Sequence, residues 1–108
     1  MTVDQLAKEC NLKAVVLADG SREVEGVYIG DLLSWVMGRA QSGDAWITIM
    51  SNINVVAVAS LSDVACVILA EGVALDEDAK KTAMEKGINI LVSQKSAYHT
   101  AMEIGKLL

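Results

Sequence analysis

Apolar and polar positions change their spacing several times along these 108 residues, and each change marks an element. Near the start, Val3, Leu6, Ala7 and Cys10 recur at helical spacing behind Thr2, with Asp4 and Gln5 in the first turn, which predicts a short capped helix. Residues 12–18 read as a strand, Asp19-Gly20-Ser21 as a turn, and Val24, Gly26 and Tyr28 alternate with Glu25, Val27 and Ile29 as a second strand would. Being neighbours in sequence, these two strands are expected to pair as a hairpin with an irregular connection. Asp31, after Gly30, has the chemistry of an N-cap and predicts a helix over 32–41 that carries Leu32, Leu33, Trp35, Val36 and Met37 and closes at Ser42-Gly43. A strand over 45–50 comes next.

Spacing identifies the middle of the chain. Residues 65–70, ACVILA, form a continuous apolar run of strand length, the kind found in parallel strands covered on both faces. The fourteen residues 51–64 that precede it suit a parallel crossover and are too many for a tight hairpin. A helix is therefore expected over 53–61, INVVAVASL, although its valines lose rotamer freedom in a helix. A helix apolar on all sides is either buried or covered by a partner. In a domain this small that surplus points to a twofold homodimer. Beyond Gly72, Asp76 opens a helix with Glu77 and Asp78 in its first turn, Lys86 in its last and Gly87 after it, complementing the helix dipole at both ends. Residues 88–92 read as the final strand, and Ser93 or Ser96 opens a last helix on which Tyr98, Ala101, Met102 and Gly105 share a face. The pattern predicts one α/β domain whose mostly parallel sheet is flanked by helices on both faces.

Composition narrows the partners. A net charge of -5, with no Lys/Arg cluster to offset it, disfavours nucleic acid. No stretch approaches the roughly 18 consecutive apolar residues of a membrane helix. The first residues lack the basic and apolar regions of a secretory signal, and Cys10 and Cys66 lack metal-ligand spacing, so packed thiols in a reducing, cytoplasmic setting are expected.

In parallel sheets ligands gather beyond the carboxyl ends of the strands. Two loops meet that description: one contains Thr48, Ser51 and Asn52, the other Ser93, Lys95 and Ser96, with Lys95 the only cation. Each leads into a helix start, where free N–H groups favour a phosphate or carboxylate. The same residue types also cap helices with no ligand involved. His99 lacks a second imidazole or thiolate at ligand spacing, and the acidic run 76–78 belongs to a helix first turn, so no metal is expected. There is no GxxxxGK[ST] loop, no GxSxG elbow and no glycine triplet after a strand. Neither catalytic residues nor a cofactor can be assigned. Trp35 and Trp46 are expected to be core or interface anchors.

The stretches REVEGVYIGDLLSWVMGRAQSGDAWITI, NVVAVASLSDVACVILAEG and GINILVSQKSAYHTAMEIGKLL resemble a stand-alone DRTGG domain over nearly the whole chain, and TVDQLAKECNLKAVVLA is similar to the opening of the HPr kinase/phosphorylase N-terminal domain. The resemblance implies a small, non-catalytic α/β regulatory or assembly module, often dimeric, of a kind found alone or fused to phosphotransacetylases and CBS-containing pyrophosphatases. With the loop chemistry, this makes a small anionic or nucleotide-like ligand the first expectation; the alternative is a partner protein and no small ligand, in the iron hydrogenase or sensor kinase systems near which similar stand-alone proteins occur. The family's Gly-Gly-Asp-Arg signature falls on Ile49, Met50, Ser51 and Asn52, so only the preceding Thr48 is kept.

Overall fold

Ten elements make up the chain in the computed structural model, which describes residues 1–108. They are α1 (Val3–Glu9), β1 (Lys13–Val16), β2 (Gly26–Ile29), α2 (Leu33–Arg39), β3 (Asp44–Thr48), α3 (Ile53–Ser62), β4 (Cys66–Leu69), α4 (Glu77–Lys86), β5 (Ile90–Val92) and α5 (Ala97–Gly105). The strands form one sheet in the order β1-β5-β4-β3-β2. Every neighbouring pair from β2 to β5 is parallel, and only β1 runs antiparallel, against β5. The expected α/β domain with a mostly parallel sheet is thus the observed one.

Side-chain alternation along the strands builds two cores. Ala45, Ile47, Cys66, Ile68 and Leu91 meet Val3, Leu6 and Ala7 of α1 and Ile104 of α5 on one face. Trp46, Val67, Leu69 and Ile90 meet Val36 of α2, Val55, Val56 and Ala59 of α3 and Ala79 and Ala83 of α4 on the other. Because β3 to β5 are covered on both faces, all twelve of their residues are buried. Helices on both faces were expected, and they are present.

The hairpin expected between the first two strands does not form. β1 and β2 lie at opposite edges of the sheet, and each pairs with a strand distant in sequence. Their connection instead packs beneath the strand amino ends, where buried Asn89 holds it: Asn89 Oδ1 accepts from the Asp19 N–H at 2.8 Å, and Nδ2 donates to the carbonyls of Asp19 at 2.7 Å and Ala65 at 3.0 Å. Asp31 is not the cap of α2 either. That position falls to Leu32, which has no side-chain cap, because the Asp31 carboxylate is engaged elsewhere.

Helix α3 forms despite its valines. Asn52 caps it through its side chain, and Val55, Val56, Val58 and Ala59 are buried against the sheet and its helical neighbours. Packing therefore overrides propensity. The protomer covers most of this helix by itself, contrary to the surplus expected of it. Only Ile53 and Leu61, at its ends, remain exposed among its large apolar residues. Thr2 forms the full capping box with Gln5, and Gly87 closes α4 in the left-handed region at φ 72°. Asp76 occupies the N-cap position of α4 but makes no side-chain capping bond.

Candidate functional site

The parallel strands place three loops side by side at their carboxyl ends: 49–52 after β3, 70–76 after β4 and 93–96 after β5. Thr48 is buried at the end of β3, and its Oγ1 donates to Asp31 Oδ1 at 2.8 Å while accepting from the Met50 N–H at 3.2 Å. The same Asp31 oxygen accepts from the Ile49 N–H at 3.0 Å. Asp31 thereby fastens the β3–α3 loop from the neighbouring strand end. Ser51 donates its hydroxyl to Asp76 Oδ1 at 3.4 Å, and its carbonyl accepts from the Asp76 N–H at 3.1 Å. Asn52 Oδ1 accepts from the Asn54 N–H at 2.9 Å, so Asn52 acts as the cap that its residue type suggests.

At the end of β5, buried Ser93 shares a 2.7 Å hydrogen bond with Thr100 of α5 and accepts from the Lys95 N–H at 3.1 Å. Ser96, the second of the two expected helix starts, is the cap of α5; its Oγ accepts from the His99 N–H at 3.1 Å and pairs with His99 Nδ1 at 2.9 Å. The Lys95 ammonium is paired with Glu103, nearly two turns into α5. His99 is exposed, and its polar partner is Ser96.

The six candidate residues fall into two groups, and no direct hydrogen bond joins them. The β4–α4 loop joins them instead. The Glu71 N–H donates to the Lys95 carbonyl at 2.8 Å and the Gly72 N–H to the Ser93 carbonyl at 2.8 Å, while Asp76 is tied to Ser51. Glu71 (φ 61°) and Gly72 (φ 67°) both adopt left-handed backbone to do this. None of the six residues lines any of the three surface cavities, and the nearest cavity borders 72–75 and Gln94. Asp31 and the bridging loop have no motif of their own in the sequence; they gain their roles from strand order.

Other reactive groups are held quiet. Burial pushes the Cys66 thiol up to about 12 and raises that of Cys10, where Glu103 adds to the effect. Both are free, buried thiols. No three His, Cys, Asp or Glu residues are placed to hold a metal ion. Trp46 is wholly buried and donates from Nε1 to the Gly30 carbonyl at 2.9 Å. Trp35 is not a core residue: it is 53% exposed, with the Arg39 guanidinium 3.7 Å above its ring.

This parallel sheet with its braced carboxyl-edge loops, lacking phosphate-loop or nucleophile-elbow machinery, defines a small α/β module. The chain belongs to the DRTGG domain family, whose model matches residues 5–107. No curated protein matches it. Among solved structures, it is similar to the CBS and DRTGG domains of the regulatory region of Clostridium perfringens pyrophosphatase, complexed with its activator diadenosine tetraphosphate. The TM-score is 0.75 at 13% identity, covering 95% of this chain and 45% of the other, so the likeness is one of fold and the chain spans under half of that structure. No helix is long and apolar enough to cross a membrane.

Proposed function

We propose that this chain is a non-catalytic, ligand-sensing regulatory module that acts as a homodimer in the cytoplasm and takes a small anionic or nucleotide-like ligand at its carboxyl-edge loops. The observation behind this reading is the backbone bracing of three adjacent loops, 48–52, 71–76 and 93–96, which lets a ligand at one loop shift the others. Membership in the DRTGG family supports it, as does the likeness to a regulatory region solved with a nucleotide activator. The contacts would be the N–H groups opened by Ser51, Asn52 and Ser96, the hydroxyls of Thr48 and Ser93, and Lys95, which would exchange Glu103 for the ligand. A titration of the 15N-labelled protein with AMP, ATP and diadenosine tetraphosphate tests this: amides in 48–52 and 93–96 should shift together. At 100 times the dissociation constant the ligand should stabilise the fold by about 2.7 kcal/mol. Absence of both effects would refute ligand sensing.

A second reading, an interaction subunit with no small ligand, draws on α2 and its N-cap, where Leu32, Trp35 and Met37 are all more than half exposed. Aromatic anchors stacked by arginine are typical centres of protein interfaces. In the homodimer the Trp35 side of this helix is the one we assign to the contact. Sedimentation equilibrium at micromolar concentration should give twice 11.5 kDa, and Trp35→Ser should shift the protein towards the monomer. A single species at the monomer mass at every concentration would rule out the dimer.

A further inference from the structure

A groove runs between edge strand β1 and helix α4, with Lys80 at its middle. One part, of about 300 Å³, is walled by Val15, Leu17 and Met84; the other, of about 260 Å³, is lined by Lys13, Gln94 and Val73; Val15 and Lys80 border both. A break in strand register shapes it. β1 pairs Lys13 with Val92 and Ala14 with Leu91, then skips Val15 and resumes with Val16 opposite Ile90. The extra residue shifts the alternation by one, so Val15 and Val16 both reach the core on the α4 side instead of pointing to opposite faces. The groove is thus built by a bulge, a device that re-aims side chains beside binding sites.

The groove is two-sided in chemistry. Leu17 is 45% and Met84 63% exposed, giving an apolar wall in contact with water. At the other end Lys13 and Lys80 line one cavity, and neither forms an ion pair within the protein, in a chain whose net charge is -5. Glu77 is the single carboxylate that shares the lining. Gln94 reaches the same cavity across Gly72: its Oε1 lies 2.6 Å from where a Cβ on residue 72 would stand, so a side chain there would push the flexible end of Gln94 aside.

From this charge complementarity we infer that the groove binds a phosphate monoester bearing an apolar body, with the phosphate between Lys13 and Lys80 and the body against Val15, Leu17 and Met84. Two lysines lining one space, with Glu77 as the single carboxylate to offset them, leave a net positive charge that a dianion would neutralise. The apolar wall then adds affinity that a bare phosphate cannot gain. Nucleoside monophosphates and alkyl phosphates share this chemistry. The inference does not depend on the carboxyl-edge reading: the 72–75 segment and Gln94 border the groove, but none of the six residues proposed there as ligand contacts lines it.

The test is a titration of the 15N-labelled full chain with hexyl phosphate, AMP and inorganic phosphate, repeated on Lys80→Gln and Lys13→Gln. At least one ester should move the amides of Val15, Leu17, Lys80 and Met84, and whichever binds tighter tells whether the body is aliphatic or aromatic. Each substitution should weaken that ester about tenfold while the melting temperature stays unchanged, and inorganic phosphate should bind about tenfold more weakly than the ester. Three results would overturn the inference: no response to either ester, equal affinity in Lys80→Gln, or inorganic phosphate binding as tightly as the esters. Shifts confined to 48–52 and 93–96 would also overturn it while supporting the carboxyl-edge site, so the two readings fail separately.

Discussion

Replacing Asp31 by alanine removes one oxygen that accepts two hydrogen bonds, from Thr48 Oγ1 at 2.8 Å and from the Ile49 N–H at 3.0 Å. A bond to a charged acceptor contributes about 1.5–3 kcal/mol when buried, but Asp31 itself is exposed and water competes, so about 0.5–1 kcal/mol each is the better figure. Thr48 weights that sum towards its upper end, because it is only 2% exposed and its hydroxyl proton would lose its acceptor. The expected loss is about 1–2 kcal/mol, a fall of roughly 5–12 °C in melting temperature for a domain of this size. Asp31→Asn keeps an acceptor oxygen in place and should recover more than half of it. Urea unfolding followed by tryptophan fluorescence, with buried Trp46 as the reporter, gives the stability, and hydrogen exchange at Ile49 and Met50 gives the local effect. In Asp31→Ala those two amides should exchange faster than amides of β4, whose protection tracks global stability. A loss below about 0.3 kcal/mol with unchanged exchange at Ile49 would refute the claim that Asp31 fastens the loop.

Val56→Asp, at a wholly buried position of α3, should cost several kcal/mol and abolish cooperative unfolding; a soluble variant of wild-type stability would overturn the packing of that helix. Cys10 and Cys66 should resist a thiol reagent in the native protein and yield two free thiols after unfolding, with a missing pair on non-reducing gels as the contrary result. The Asp63 carboxyl is held below its usual range by the hydrogen bond from Arg22 and then that from Ser42, so its contribution is present above an unfolded value of about 3.9 and disappears as pH falls through the lower folded value. Comparison with Asp63→Asn, which tolerates the φ of 54°, should show a stability gap that is small, shrinks with salt, and closes as pH falls through the lowered folded value. A gap that widens with acid would contradict that account.

Local chemistry made much of this molecule legible from the chain. The capping box at Thr2, the αL glycine at 87 and the caps Asn52 and Ser96 depend on residues a few positions apart, so sequence alone determines them. Apolar run length likewise marked the parallel strands, and the separation between runs identified α3 against its own propensity, because a covered strand and its crossover leave a spacing that no hairpin shares. Strand order was decided only in three dimensions. Nothing within residues 12–29 shows that β1 turns away to pair with β5, far along the chain, since either edge would satisfy the same alternation; the choice comes from the whole sheet's burial. That choice moved Asp31 from a helix cap to a tie on the β3–α3 loop, set the 71–76 loop between two groups of candidate residues, and brought bulged Val15 against α4. Each of these contacts joins segments far apart in the chain, and their closure cost is met only when the shared core is buried, so their partners cannot be read from neighbouring residues.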